Sequence, residues 1–282
     1  MKIKEAIRFA EEKLKSAGID DYNTDGKLIL FHLFNWDETA LILNGNKEME
    51  DEDLNTYINI VEKRANHIPL QEIFHKGYFY GEEFIVNKDV LTPRKETEIL
   101  VENCIYIIGR KNTKNVLDLC TGSGIISIIL KKKFPTINIY ASDISKEALK
   151  VAKENASIHK ADVKFIESDL FNNIEGTFDL IISNPPYIKK NDIFELTEEV
   201  KKYDPILALD GGIDGLDYYR EIVNNLNQYL NDEGYVAFEI GYDEGEEVKK
   251  LLEETDIFKD IKVIKDYSNL DRVIIAKKGT GI

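Results

Sequence analysis

Asp179-Leu180-Ile181-Ile182-Ser183-Asn184-Pro185-Pro186-Tyr187 decides how this chain reads. The apolar first half has the character of a buried parallel strand, and the second half breaks it with an amide, two prolines and an aromatic ring. Open α/β sheets hold their active sites at the C-terminal ends of their strands. An Asn at that place offers a carbonyl oxygen to an N–H donor. The proline that follows holds Asn184 extended, so that backbone carbonyls can meet a second N–H. Tyr187 can stack on a planar amide or a base. The segment therefore reads as a grip for an amine or amide.

Working outward, Asn115-Val116-Leu117-Asp118-Leu119 is a second apolar strand, followed by Cys120-Thr121-Gly122-Ser123-Gly124 and a helical run from Ile125 to Lys133. Glycines let a backbone approach a ligand closely, and a helix start offers free N–H groups. A Gly-x-Gly turn alone also occurs in dinucleotide-binding folds. The next strand, Ile137 to Ser142, ends at Asp143, 19 residues beyond Gly124. A carboxylate there suits ribose hydroxyls, which indicates a nucleoside without choosing NAD or S-adenosylmethionine. After the strand Val163 to Ile166, Asp169 can accept an amino proton of adenine, with Leu170 and Phe171 flanking the ring.

Organisation follows the hydrophobic spacing. Residues 3–66 repeat apolar positions at helical intervals, as in Ile3, Ala6, Ile7, Ala10 and Leu14, and a helix over 51–65 is expected to turn Leu54, Ile58 and Val61 inward. The division expected is a helical domain over 1–67, read as a substrate-docking domain or equally as a packing domain, a β-hairpin linker over 68–92 with Gly77 and Gly81 as its turn signals, and an α/β domain over 93–282. Only seven residues join the last two strands, Ile261–Ile264 and Arg272–Ala276. That is too short for a crossover, so the pair must be antiparallel.

Composition narrows the partners. The net charge is −15, from 37 basic and 52 acidic residues, and residues 1–75 hold 9 basic against 15 acidic. Binding to a duplex requires Lys and Arg to displace counterions, so a protein substrate is favoured and free DNA is not. Cys104 and Cys120 are too few for a disulfide framework, and His32, His67, His75 and His159 form no ligand pattern, so no metal is expected. No apolar run approaches the roughly 20 residues of a membrane span, and the charged start, Met1-Lys2-Ile3-Lys4-Glu5, is unlike a signal peptide. A cytoplasmic monomer is the expectation.

The strand–glycine–acid–Asn-Pro-Pro-Tyr order resembles the S-adenosylmethionine-dependent methyltransferases. Asn-Pro-Pro-Tyr is shared with nucleic-acid amino methyltransferases, so adenine-N6 or guanine-N2 methylation remains an alternative. Three further segments sharpen the resemblance: Val90-Leu91-Thr92-Pro93-Arg94-Lys95-Glu96-Thr97-Glu98, the stretch Pro205 to Tyr219 with its Gly211-Gly212 pair, and Glu239-Ile240-Gly241 with Asp271-Arg272. Together they are similar to the peptide chain release factor N(5)-glutamine methyltransferases, the PrmC/HemK-like family. The resemblance implies a Rossmann-like sheet with an antiparallel C-terminal strand. It also implies methyl transfer from S-adenosyl-L-methionine to the glutamine amide of a release factor's Gly-Gly-Gln loop. Asn184, Pro185 and Tyr187 would be catalytic, with Pro186 joining them in holding substrate. Asp118, Cys120, Thr121, Gly122, Ser123, Gly124, Asp143, Asp169, Leu170, Phe171 and Asn184 would hold the cofactor. Cys120 departs from the glycine more usual there, and the roles of Arg94, Glu96 and Glu98 stay open.

Overall fold

The computed structural model describes residues 1–280. Two compact units divide it: Met1–His75 with Glu198–Tyr203, and Lys76–Thr197 with the chain from Asp204 onward.

The first unit is helical, with α1 (Ile3–Ser16), α2 (Tyr22–Phe34), α3 (Glu38–Asn44), α4 (Asp51–Ala65), α5 (Leu70–Phe74) and, from much further along the chain, α9 (Glu198–Tyr203). Ile3, Ala6, Ala10 and Leu14 form the buried stripe of α1, the i, i+3, i+4 pattern of an amphipathic helix. Glu5 caps its start by accepting the Lys2 N–H at 2.9 Å. Gly26 lets α2 lie close to α1, since a Cβ there would meet the Ala10 Cβ at 2.9 Å. The inner face of α4 differs from the expected one: Tyr57, Ile60, Val61 and Arg64 are buried, while Leu54 and Ile58 are only partly covered. The reason is polar. Tyr57 donates to the Gly26 carbonyl at 3.0 Å, and Arg64 pairs with Asp25 and with Glu199 of α9, each at 2.6 Å. Buried polar groups need such partners, and apolar spacing alone does not reveal them.

The second unit begins with an antiparallel hairpin, β1 (Lys76–Phe79) and β2 (Glu82–Ile85). Tyr80 and Gly81, with φ of 54° and 77°, make its turn, as a two-residue loop with both φ positive should. Gly77 is not a turn residue: it pairs with Phe84 inside the ladder. Its bare Cα is needed because a Cβ would meet the Pro93 ring at 2.9 Å.

Then follow α6 (Thr97–Arg110), β3 (Asn115–Leu119), α7 (Ile125–Lys133), β4 (Asn138–Asp143), α8 (Lys146–Ile158), β5 (Lys164–Glu167), β6 (Phe178–Ser183), α10 (Asp217–Tyr229), β7 (Leu230–Glu239), α11 (Gly245–Glu253), β8 (Phe258–Lys265) and β9 (Asp271–Lys278). The seven-stranded sheet runs β5-β4-β3-β6-β7-β9-β8. Its first five strands are parallel, and β9 enters antiparallel to both β7 and β8. Core clusters cover both faces, one built on Leu100, Val116, Ile128 and Ile182, the other on Leu117, Ile181, Tyr219 and Phe238. This is an α/β Rossmann-like sheet with an antiparallel C-terminal strand. Strand order reverses between β3 and β6, which creates a switch-point crevice at their C-terminal ends.

Candidate active site

Leu119, the last residue of β3, lies opposite both Ser142 of β4 and Ser183 of β6. The Ser183 hydroxyl donates to the Leu119 carbonyl at 2.9 Å. The turn after β3 and the Asn-Pro-Pro-Tyr segment after β6 are thereby held side by side at the switch point.

The turn after β3 is shaped by backbone conformation. Cys120, Gly122 and Gly124 all have positive φ, at 57°, 56° and 80°. Thr121 N–H bonds the Ser142 carbonyl at 2.9 Å, and Gly122 N–H donates to Asp143 Oδ2 at 2.8 Å. Asp143 Oδ1 accepts from Ser145 N–H at 2.9 Å. Burial, its largest influence, raises the Asp143 pKa, while these backbone donors oppose the rise. A Cβ on Gly122 would meet nothing within 4 Å, whereas one on Gly124 would meet Ala152 at 3.1 Å. Gly122 is thus open toward solvent space, and Gly124 serves the packing of α7 on α8.

Asp118 lies beneath the turn, fully buried, and accepts hydroxyl protons from Thr121 and Ser127, both at 2.7 Å. Its Oδ1 has no partner. Burial pushes its pKa up to about 6, despite those two donors.

The segment after β6 is shaped by side chains. Asn184 turns its Nδ2 to the Thr97 hydroxyl at 3.4 Å, which directs its carbonyl oxygen away from Thr97. Pro185 and Pro186 are buried. Tyr187 packs against the second core cluster, with its hydroxyl 3.5 Å from Glu239 Oε1. Glu239, at the end of β7, is buried; burial pushes its pKa up to about 7, opposed first by a hydrogen bond from Thr97 and then by Arg272.

A pocket of about 310 Å³ opens between the two turns, within the size range of small-ligand sites. Cys120, Thr121, Gly122, Ser123, Asp143, Asp169, Leu170, Asn184 and Pro186 line it. Asp118, Gly124, Phe171, Pro185 and Tyr187 do not reach its wall. Phe171 instead stacks on Tyr229 with ring centroids 4.5 Å apart. Leu170 reaches the pocket through a strained turn, φ 43°, whose carbonyl accepts the Ser168 hydroxyl at 2.8 Å.

Sequence reasoning missed the wall that faces these turns: Thr92, Pro93 and Thr97 on one side, Ile144, Pro205, Leu207, Ala208 and Tyr218 on others. It also missed why Arg94 is there. Arg94 lines the pocket while its guanidinium pairs with Asp204 at 2.5 Å, and Asp204 also accepts Thr92 N–H at 3.3 Å. Glu98 accepts the Tyr80 N–H at 2.7 Å, outside the pocket. Among the described residues no three metal-ligating side chains cluster, and no helix is long and apolar enough to cross a membrane.

The pocket combines carboxylates suited to hydroxyl or amino protons, exposed backbone at Gly122, apolar surfaces suited to a flat ring, and one amide carbonyl. Among solved structures, the chain is similar to the hMettl16 catalytic domain (TM-score 0.58, 13% identity, covering 77% of this chain and 81% of that one). It is also similar to a methyltransferase from Pyrococcus furiosus (TM-score 0.53, 19% identity, 71% and 91%). Both likenesses concern the fold. Residues 95–208 match the methyltransferase small domain family, and residues 5–74 match the PrmC N-terminal domain family. The release factor glutamine methyltransferase of Clostridium acetobutylicum is 39% identical across 99% of both chains. That of Bacillus subtilis is 34% identical across 96% of both. Aligned at this identity over nearly all of its length, the chain belongs to the release factor glutamine methyltransferase family.

Proposed function

We propose that the protein methylates the side-chain amide nitrogen of the glutamine in the Gly-Gly-Gln loop of peptide chain release factors, with S-adenosylmethionine as donor. The observation that carries this reading is the placement of Asn184 in the wall of the switch-point pocket, directly beside the Cys120–Gly124 turn. Family membership supplies the substrate class.

The residues present suit the cofactor. Gly122 leaves its backbone bare on the pocket side, and Asp118 keeps a buried oxygen without a partner close under the turn. Cys120 to Ser123 would hold the methionine part, with Asp118 near its amino group and Gly124 setting the turn. Asp143 would hold the ribose, and Asp169 and Leu170 the adenine. When bound, the cofactor supplies a methyl group already activated by its sulfonium.

The protein's task is then to present a poor nucleophile, since an amide nitrogen shares its lone pair with its carbonyl. Asn184 Oδ1 and the Pro185 backbone carbonyl would accept the two N–H groups of the substrate amide. They would aim the nitrogen and stabilise the positive charge that develops on it. Pro186 forms wall beside them, and Tyr187 braces the segment from the core side. Positioning of this kind supplies up to roughly 7–11 kcal/mol in well-oriented systems. No general base is needed before transfer, because the methylated amide nitrogen is acidic enough to lose its proton afterwards. The helical unit, residues 1–75 with its acidic balance, would dock the protein substrate.

The test is methyl transfer from labelled S-adenosylmethionine to a purified release factor, beside its Gln→Ala loop variant and bulk tRNA, rRNA and DNA. Label on the wild-type factor alone is expected. Label on nucleic acid would replace the substrate with an adenine or guanine amino group.

A further inference from the structure

Between Asn-Pro-Pro-Tyr and α10 the chain makes a tight turn over residues 204–210. The Ala208 N–H bonds the Pro205 carbonyl at 2.8 Å, and the Leu209 and Asp210 N–H groups both bond the Ile206 carbonyl at 3.0 Å. Both ends are tied down. Asp204 accepts the Thr92 N–H at 3.3 Å and pairs with Arg94 at 2.5 Å. The Leu209 carbonyl accepts the N–H of Ile188, the residue after Tyr187, at 2.9 Å, and the Ile188 carbonyl accepts the Gly211 N–H at 2.9 Å. The turn is thus stretched from the wall at Thr92 and Arg94 to the chain that leaves Asn-Pro-Pro-Tyr. The Cys120–Gly124 turn is tied instead to the Ser142 carbonyl and to Asp143. Pro205, Leu207 and Ala208, which line the pocket, therefore wall its Asn184 end.

This fixed turn holds two aliphatic side chains half in solvent, Ile206 at 50% and Leu207 at 49% exposure. Leu207 lines the pocket and Ile206 does not. The lining at the Asn184 end is saturated and mostly apolar, with Pro93, Thr97 and Pro186 beside the turn. Its cation, Arg94, is already paired with Asp204. Among the described residues the pocket wall has one aromatic ring, Tyr218, which with Ile144 and Asp169 also lines a neighbouring hollow that none of these residues reaches. An amino group on a base arrives on a flat ring, which proteins grip by stacking it between side chains, often aromatic ones. A glutamine amide arrives on a stem of methylenes, and bare aliphatic surface is what such a stem covers with gain.

We propose that Leu207 is a specificity-determining contact for methyl transfer: its exposed half is the surface on which the aliphatic stem of the substrate glutamine lies while Asn184 holds the amide. Leu207 favours an amide on a methylene chain because it offers the stem a rigid apolar wall and offers a base no ring to stack on.

This inference rests on the reading of the pocket as the site for a release factor's glutamine, and the experiment separates the two. Wild-type enzyme is first assayed on the release factor and on its Gln→Ala variant. Absence of glutamine-dependent transfer overturns the functional reading, and this inference with it. With wild type active, steady-state transfer is compared for Leu207→Ala, Leu207→Met and Ile206→Ala. Covering the exposed half of a leucine is worth about fivefold in affinity, so KM for the factor should rise about fivefold in Leu207→Ala. Its kcat should hold within about twofold, as loss of binding shared by ground and transition states requires. Leu207→Met keeps the volume and should stay near wild type. Ile206→Ala truncates an equally exposed neighbour outside the pocket and should leave KM unchanged, and cofactor affinity by calorimetry should be the same in all three. An unchanged KM in Leu207→Ala would overturn the proposal. So would an equal rise in Ile206→Ala, which would mean a loosened turn, or a matching loss of cofactor affinity, which would put Leu207 against the cofactor. Competition by the Gln→Ala factor locates the contact. Most of the stem is gone from that factor, so its inhibition constant should be the same for wild type and Leu207→Ala. A rise there equal to the rise in KM would set Leu207 against the factor's backbone and overturn the stem contact.

Discussion

The two turns that meet at the switch point acquire their shapes by opposite means. After β3, the backbone does the shaping: three residues in five have positive φ, and N–H groups are tied to the Ser142 carbonyl and the Asp143 carboxylate. After β6, the chain is stiffened by two prolines and placed by buried polar side chains from α6 and β7. The first turn exposes main chain, which suits close contact with a ligand that stays the same. The second exposes one side-chain carbonyl, which suits a reacting group that must be aimed. Damage to the first should therefore appear in cofactor affinity, and damage to the second in turnover.

The largest effect expected is for Asn184→Ala. Removing one preorganised polar group that answers transition-state charge typically costs about 10²–10³ in kcat. The cofactor dissociation constant should barely move, since the turn after β3 keeps all its own bonds. Single-turnover transfer and calorimetry on the same preparation check both halves. Comparable losses in each would erase the contrast between the turns.

Asp143→Ala should do the reverse. Its carboxylate accepts the Gly122 and Ser145 N–H groups, so its loss removes the proposed ribose contact and loosens the turn together. Hydrogen bonds to charged groups are worth ~1.5–3 kcal/mol, which predicts a cofactor dissociation constant raised about tenfold or more, with kcat at saturating cofactor largely kept. Calorimetric titration decides it, and unchanged affinity would remove Asp143 from the site.

How far all this was legible in the sequence follows the same division. The turn after β3 could be read almost whole, because its glycines, its preceding strand and Asp143 lie close together along the chain. Asn-Pro-Pro-Tyr was equally plain. What holds it was not: Thr97 stands 87 residues from Asn184, and Arg94 stands 110 from Asp204. Periodicity and local spacing carry no record of such pairings. The inner face of α4 was misread for a similar reason, since Arg64 is buried only because Asp25 and Glu199 meet it. Gly77 looked like a turn because glycine signals either a bend or a close approach, and only the position of Pro93 tells which.

Burial of Glu239 also predicts a pH signature. Its carboxyl sits near an ordinary 4.5 when the chain is unfolded and is pushed up to about 7 by burial in the fold. Below pH 4.5 both states hold the proton. As pH rises toward 7 the unfolded state loses it first, so stability falls across that window. Asp118 and Glu244, raised by burial to about 6 and about 7, act with the same sign. Glu239→Gln should remove one share of this loss, so its advantage in urea unfolding over wild type should be larger at pH 8 than at pH 5. A gap that is constant with pH would mean that Glu239 folds already ionised.

The smallest effect concerns Cys120, the one residue without glycine's freedom among the positive-φ positions between β3 and α7. A left-handed conformation costs a residue with a Cβ about 1–2 kcal/mol. Cys120→Gly relieves that strain but adds freedom to the unfolded chain, worth roughly 0.5–1 kcal/mol against it, so the net change in stability should be slight. Affinity is the better readout, because Cys120 lines the pocket. Both Gly and Ala remove the thiol, but only Gly also removes the strain. If Cys120→Gly tightens cofactor binding and Cys120→Ala does not, backbone conformation governs this turn, as the contrast with Asn-Pro-Pro-Tyr requires. If both tighten it equally, the thiol's bulk is what matters, and the first turn is shaped by a side chain after all.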